Sequence, residues 1–245
     1  MSKPMTVARY AKEHRGWFYG CLLLFALVAF FCLKAIYDMT VYGAKAPLYA
    51  FIAGMVGFGA TALGSLPGFY FHKLSDKAED WMLGSSAGMM LAAAIFSLLL
   101  PSIDASEKLF TSELAATLWV LFGVFLGVVF LLIINALTPH EHADQTYEGP
   151  EIEVKSGIWL FVLAIIIHNI PEGLAMGISF SAEDMQIGVP LTIAIALQDF
   201  PEGLAVVLAL CTTNISRGKA VAIGVFSGLM EPVGALFGVS LAGGL

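Results

Sequence analysis

Apolar residues run in long, unbroken stretches along this chain, and the charged residues gather in the gaps between them. A bilayer core about 30 Å thick needs roughly 20 apolar residues in a helix, so windows free of Asp, Glu, Lys and Arg mark the candidate spans. Seven appear once a few polar exceptions are set aside, at approximately 17–37, 46–71, 81–100, 113–136, 157–180, 188–211 and 219–243. The strands of a membrane barrel would read as short alternating segments. These stretches are continuous and rich in Leu, Ala and Gly, which predicts helices. The expected fold is all-α, a polytopic transmembrane helical bundle forming a single domain over residues 1–245.

The basic leader before the first span raises the question of a signal peptide. No small-residue cleavage site follows the apolar run from Trp17 to Leu33, and Lys34 with Tyr37 resembles an interfacial anchor, so a retained span is expected. Positive charges set the orientation. With the N-terminus inside, Lys3, Arg9, Lys12, Arg15, Lys73, Lys77, Lys155, Arg217 and Lys219 are cytoplasmic and only Lys45 and Lys108 are external. Nine against two places residues 1–16 in the cytoplasm, makes 138–156 a cytoplasmic loop and sends the C-terminus outside.

Composition agrees with the membrane reading. Hydrophobic residues make up 58% of the 245 residues and charged ones 13%, against about 45–50% and about 25% in soluble domains. The formal charge of −7 leaves no basic face, which excludes nucleic acid as a partner and suggests a cationic one. Cys21, Cys32 and Cys211 lie in apolar stretches without disulfide or CxxC spacing and read as small buried hydrophobes. Glycines at Gly54, Gly57, Gly59, Gly123 and Gly127 predict close helix contacts.

Ionisable residues in mid-membrane cost about 2.5–3.5 kcal/mol each on insertion scales, so each one asks for a reason. Besides Lys34 there are five: His168 and Glu172 in the fifth span, Asp199 and Glu202 in the sixth, and Glu231 in the seventh, with Asn169 and Gln198 beside them. Residues i and i+4 lie about 40° apart around a helix, so His168 and Glu172 share a face, as do Gln198 and Glu202. The segments His-Asn-Ile-Pro-Glu-Gly-Leu-Ala and Gln-Asp-Phe-Pro-Glu-Gly-Leu-Ala match at five of eight positions, 30 residues apart. Pro171, Pro201 and Pro232 cannot donate to the carbonyls of Ile167, Leu197 and Gly228, which are expected to be free beside the side-chain ligands.

One imidazole, four carboxylates and two amide oxygens suit a divalent metal such as Zn²⁺, with Cd²⁺, Fe²⁺ and Mn²⁺ as alternatives. Two ions fit so many ligands, with Glu172 and Glu202 able to bridge them. Loading is expected to release protons. Interhelical hydrogen bonding alone is the rival reading, and it explains poorly why the residues occur at facing positions on three consecutive helices.

These segments closely resemble the paired signatures of the ZIP family of divalent metal transporters, especially its bacterial GufA-like subgroup. The likeness runs from about Ala46 to Gly238 and includes Gly88-Met-Met-Leu-Ala-Ala, Thr138-Pro-His-Glu-His and Ser227-Gly-Leu-Met-Glu-Pro. The resemblance implies uptake of a zinc-type ion across the cell membrane into the cytoplasm by alternating access at a two-metal centre. One ion would meet Met90, His168, Glu172, Gln198, Glu202 and Glu231, and the other Asn169, Glu172, Asp199, Glu202 and Glu231. Asp104 would stand at the external entrance, and His140 and His142 resemble metal-catching residues of the cytoplasmic loop. Family members carry eight core helices, and an additional N-terminal span followed by only the first six is found here, so a truncated form or an incomplete bundle is expected. The metal is substrate, no organic cofactor is expected, and the partners are metal ions and the bilayer, with a homodimer left open. The rivals are an intramembrane zinc hydrolase, disfavoured by the lack of HExxH and the generous ligand supply, and a metal sensor that binds without transporting.

Overall fold

The structure is a computed structural model and describes residues 15–71, 74–137, 140–141, 147–148, 157–212 and 215–243. In chain order the helices are α1 (Arg15–Val41), α2 (Lys45–Ser65), α3 (Asp76–Ala92), α4 (Leu100–Glu107), α5 (Glu113–Leu137), α6 (Gly157–Ser179), α7 (Met185–Cys211), α8 (Arg217–Ser227) and α9 (Met230–Gly243). A two-residue antiparallel pairing of His140–Glu141 with Tyr147–Glu148 is the one departure from helix and turn among the described residues. Six helical stretches are long and apolar enough to cross a membrane: Phe18–Val41, Lys45–Phe69, Asp80–Glu107, Glu113–Phe130, Met185–Cys211 and Arg217–Gly243. The 23-residue α6 occupies the place of the remaining predicted span. The helical bundle and its order follow the hydropathy pattern, and the chain is a multi-pass membrane protein.

Local chemistry adjusts the predicted boundaries. The first helix continues past Tyr37 to Val41, because Lys34 pairs with Asp38 one turn later at 3.4 Å, which offsets the charge of both. Gly43 then adopts φ +65°, a left-handed conformation that costs glycine little, and lets the Ala44 N–H return to the Asp38 carbonyl at 3.1 Å. Ser75 and Asp184 cap α3 and α7, accepting from the N–H groups of Ala78 and Gln186.

Two spans are less regular than their sequences suggest. The third joins α3 to α4 through wider π-type turns at Ala93–Leu99, where the Leu100 N–H bonds the Ile95 carbonyl five residues back. Pro101 follows immediately and has no N–H to continue an ordinary ladder. The seventh span is broken: α8 stops at Ser227 and α9 starts at Met230, with Leu229 N–H bonded to Phe226 O at 3.2 Å in the joint. One expectation is corrected here. The Gly228 carbonyl is not free, because the Glu231 N–H takes it at 3.0 Å in a tight turn that Pro232 does not prevent.

The described residues form two compact units. One holds the start of α1 to Val28 together with Ser102–Ala164, and so contains α4 from Ser102 onward, α5 and the start of α6. Within it Ser106 donates to the Ala116 carbonyl at 3.2 Å and joins α4 to α5. Helix α5 keeps large apolar side chains such as Leu118, Phe122 and Phe125 exposed, as a lipid-facing helix does. Gly123 and Gly127 have open space where a side chain would point, so the close contact expected there is not made among the described residues.

The second unit holds Ala29–Pro101 and Ile165 onward. Its centre is small and apolar: Ala50, Ala53, Met176, Leu191, Ile195, Ala235 and Val239 are buried together. Helix α2 packs on α7, α8 and α9, and α3 packs on α7. Helices α6 and α9 touch backbone to backbone, since a side chain at Gly173, Gly177, Gly234 or Gly238 would collide with main-chain atoms of the other helix. Such small-residue seams bring polar groups on adjacent membrane helices close together.

Candidate metal centre

The two Pro-Glu-Gly turns lie within α6 and α7, with Pro171 and Pro201 inside their helices. The glycine after each glutamate marks a close approach. A Cβ at Gly173 would overlap the Glu231 backbone of α9, and one at Gly203 would overlap the Thr61 carbonyl of α2. The duplicated motif therefore supplies a carboxylate and, next to it, a gap that the backbone of a neighbouring helix fills.

At one end of the cluster, ligand atoms of His168, Glu172 and Glu202 all lie within 4.8 Å of one another. His168 Nε2 stands 3.7 Å from both Glu172 Oε1 and Glu202 Oε1. A tetrahedral zinc with ligands at about 2.0–2.2 Å holds them roughly 3.4 Å apart, so the spacing needs only a small contraction to close on an ion. This end is open: the His168 side chain is 52% exposed.

The other end is sealed. Asn169, Gln198, Asp199 and Glu231 are all at most 2% exposed. Gln198 Nε2 donates to Glu172 Oε1 and, at 3.1 Å, to Asp199 Oδ1, which ties the two ends together. Thr61 Oγ1 donates to Glu231 Oε1 at 2.7 Å. Glu231, Glu172 and Glu202 all act electrostatically on Asp199.

Four oxygens here, Asn169 Oδ1, Gln198 Oε1, Asp199 Oδ2 and Glu231 Oε2, are buried without a hydrogen-bond partner among the described residues. Each such orphan costs about 1–3 kcal/mol, and a cation placed among them would satisfy all four. The chemistry fits, since all are oxygen ligands of the kind a divalent metal takes beside an imidazole.

The structure brings together His168, Asn169, Glu172, Gln198, Asp199, Glu202 and Glu231. Met90 is 39% exposed on α3, and Asp104 is exposed on α4 in the other compact unit. His140 lies opposite Glu148 in the short strand pairing, while His142 lies outside the described residues. Sequence reasoning missed Thr61, Gly173 and Gly203. The two glycines were signalled by their identity in both copies of the motif, whereas a neutral threonine in a membrane helix carries no such mark.

Comparison with known proteins gives the family. Residues 136–244 match the family described as ZIP Zinc transporter. The chain is 50% identical over 196 residues to Zinc transporter ZIPB of Bordetella bronchiseptica, covering 80% of this chain and 63% of that protein. It is 39% identical over 188 residues to Zinc transporter GufA of Myxococcus xanthus, covering 77% of this chain and 74% of that protein. It is 35% identical over 205 residues to Zinc transporter ZupT of Chlorobaculum parvum, with 79% and 75% covered. Identity of this level over most of two relatives, with the paired Pro-Glu-Gly helices in place, is decisive: the chain belongs to the ZIP family of zinc transporters.

Proposed function

We propose that this protein carries zinc inward across the cell membrane through a centre of two metal ions built on α6, α7 and α9. The observation that carries the reading is the set of four buried, unpartnered oxygens beside the His168–Glu172–Glu202 group. The open end takes one ion through His168, Glu172 and Glu202, with Met90 and Gln198 joining it. The sealed end takes the second through Asn169, Asp199 and Glu231, and Glu172 and Glu202 bridge the two. The excess of basic residues on one side supports a cytoplasmic N-terminus and loop 138–156. Two charges moving down the membrane potential gain about 4.6 kcal/mol per 100 mV, which favours uptake.

Transport proceeds by alternating access, with the metal-bearing helices moving against a more static set. The difference in exposure between the two ends supports this, as a carrier caught in one conformation exposes its site to one side. Asp104 gathers ions at the external entrance, His140 and His142 receive them in the cytoplasmic loop, and cadmium competes for the same ligands. ZIP proteins are a family of transporters and not of enzymes, which leaves the hydrolase reading without support. Zinc flux into proteoliposomes tests the proposal. Saturable flux in the unaltered chain that collapses in Glu172→Ala and Glu202→Ala is the expected result, and zinc binding without flux would make the protein a sensor instead.

A further inference from the structure

Glu231 is completely buried beside Asp199, and its Oε1 takes a hydrogen bond from Thr61, on a helix that contributes nothing else to the cluster. Thr61 is itself 4% exposed and faces α9 from near the C-terminal end of α2. Its hydroxyl has one proton, and of its two acceptors the Glu231 oxygen at 2.7 Å is much nearer than the Gly57 carbonyl at 3.3 Å. Glycines enclose the pair. A Cβ at Gly57 would fall on Glu231 Oε2, and one at Gly228 would stand 2.9 Å from Thr61 Cβ and 3.3 Å from Glu231 Oε1. The carboxylate thus has one oxygen held by a donor, no spare volume in which to turn, and a second oxygen, Oε2, with no hydrogen-bond donor among the described residues.

We propose that Thr61 is a positioning residue of the metal centre: its hydroxyl holds Oε1 of Glu231 and thereby commits Oε2 to the ion, while Gly57 and Gly228 leave the space this pose requires. The inference rests on the cluster being the metal site. A carboxylate free to rotate would offer either oxygen and pay for its ordering on every loading; one already fixed by an outer hydrogen bond binds more tightly, and losing such a partner typically weakens a metal site about 10–100-fold.

The test is equilibrium zinc binding to the purified full chain, with binding stoichiometry measured alongside. Thr61→Val keeps the shape and removes the donor, and is expected to weaken zinc binding at the Glu231 end at least tenfold, while Thr61→Ser restores it to within about threefold. Gly57→Ala leaves the hydroxyl and puts a methyl where Oε2 stands, so it produces a comparable loss by an independent route and serves if Thr61→Val does not fold. In a Glu231→Gln background Thr61→Val should change affinity less than twofold, since the two act as one unit. Thr61→Val binding within twofold of the unaltered chain, failure of Thr61→Ser to restore binding, or an undiminished Thr61→Val effect beside Glu231→Gln each overturns the inference while leaving the site reading intact. Absence of zinc binding by the unaltered chain overturns both.

Discussion

The open and sealed ends of the polar cluster come from two copies of nearly the same eight residues, yet they differ in almost every physical respect. His168 begins its copy more than half exposed, and Gln198, at the matching place in the other, is 1% exposed. The difference comes from what packs on each helix. Along α7 the approach of α2 at Gly203 and Gly64 removes the solvent, whereas on α6 the seam with α9 runs along Gly173 and Gly177 and leaves the His168 imidazole exposed. A repeated motif supplies ligands, and its surroundings decide which are accessible and which are held. Residues at matching places in two stretches of like sequence can in this way be left accessible in one and enclosed in the other.

The sharpest way to break that comparison is to remove the residue shared by both ends. Glu172 meets His168 on one side and Gln198 on the other, so Glu172→Ala should lower zinc flux into proteoliposomes at least about 100-fold and reduce the bound ions to fewer than one per chain. Loss of only one end's ion would show the two ends to be independent. Next in size is Asp199→Asn, which preserves shape at the sealed end. Zinc affinity measured by titration should fall roughly 10–100-fold, with one weakened site and one near normal. His168→Ala should cost about tenfold in affinity, less because water can take the vacated position at an exposed site. The smallest effect expected is on folding: metal-free His168→Ala should melt within about 2 °C of the unaltered protein, as its side chain buries little. A large drop in melting temperature would mean that the imidazole is a structural contact and the open end is not open.

Much of this was legible in the sequence. Hydropathy marked seven windows and the structure fills each with helix, because lipid leaves a chain few alternatives to satisfying its backbone internally, and the spacing of His168 and Glu172 put both on the face where they meet. What stayed hidden depends on neighbours. The window over 219–243 is uniformly apolar, and nothing in an average reveals that the helix stops at Ser227 and restarts at Met230. The π-type turns at Ala93–Leu99 are equally invisible to hydropathy. Glycines on α5 resembled those of α6, but only the latter meet another backbone, because a glycine permits a contact without creating one. Thr61 was missed since its importance lies entirely in the carboxylate opposite.

The interruption before Met230 has an electrical consequence. A helix that begins at Met230 has its positive pole there, at most roughly half an elementary charge and less here because the Glu231 N–H is already bonded and Pro232 has none, and Glu231 sits in that first turn. This charge belongs to the backbone and cannot leave with the cargo. On the proposed reading, each departing ion leaves behind a carboxylate that still faces a fixed positive pole, which lowers the barrier to letting go.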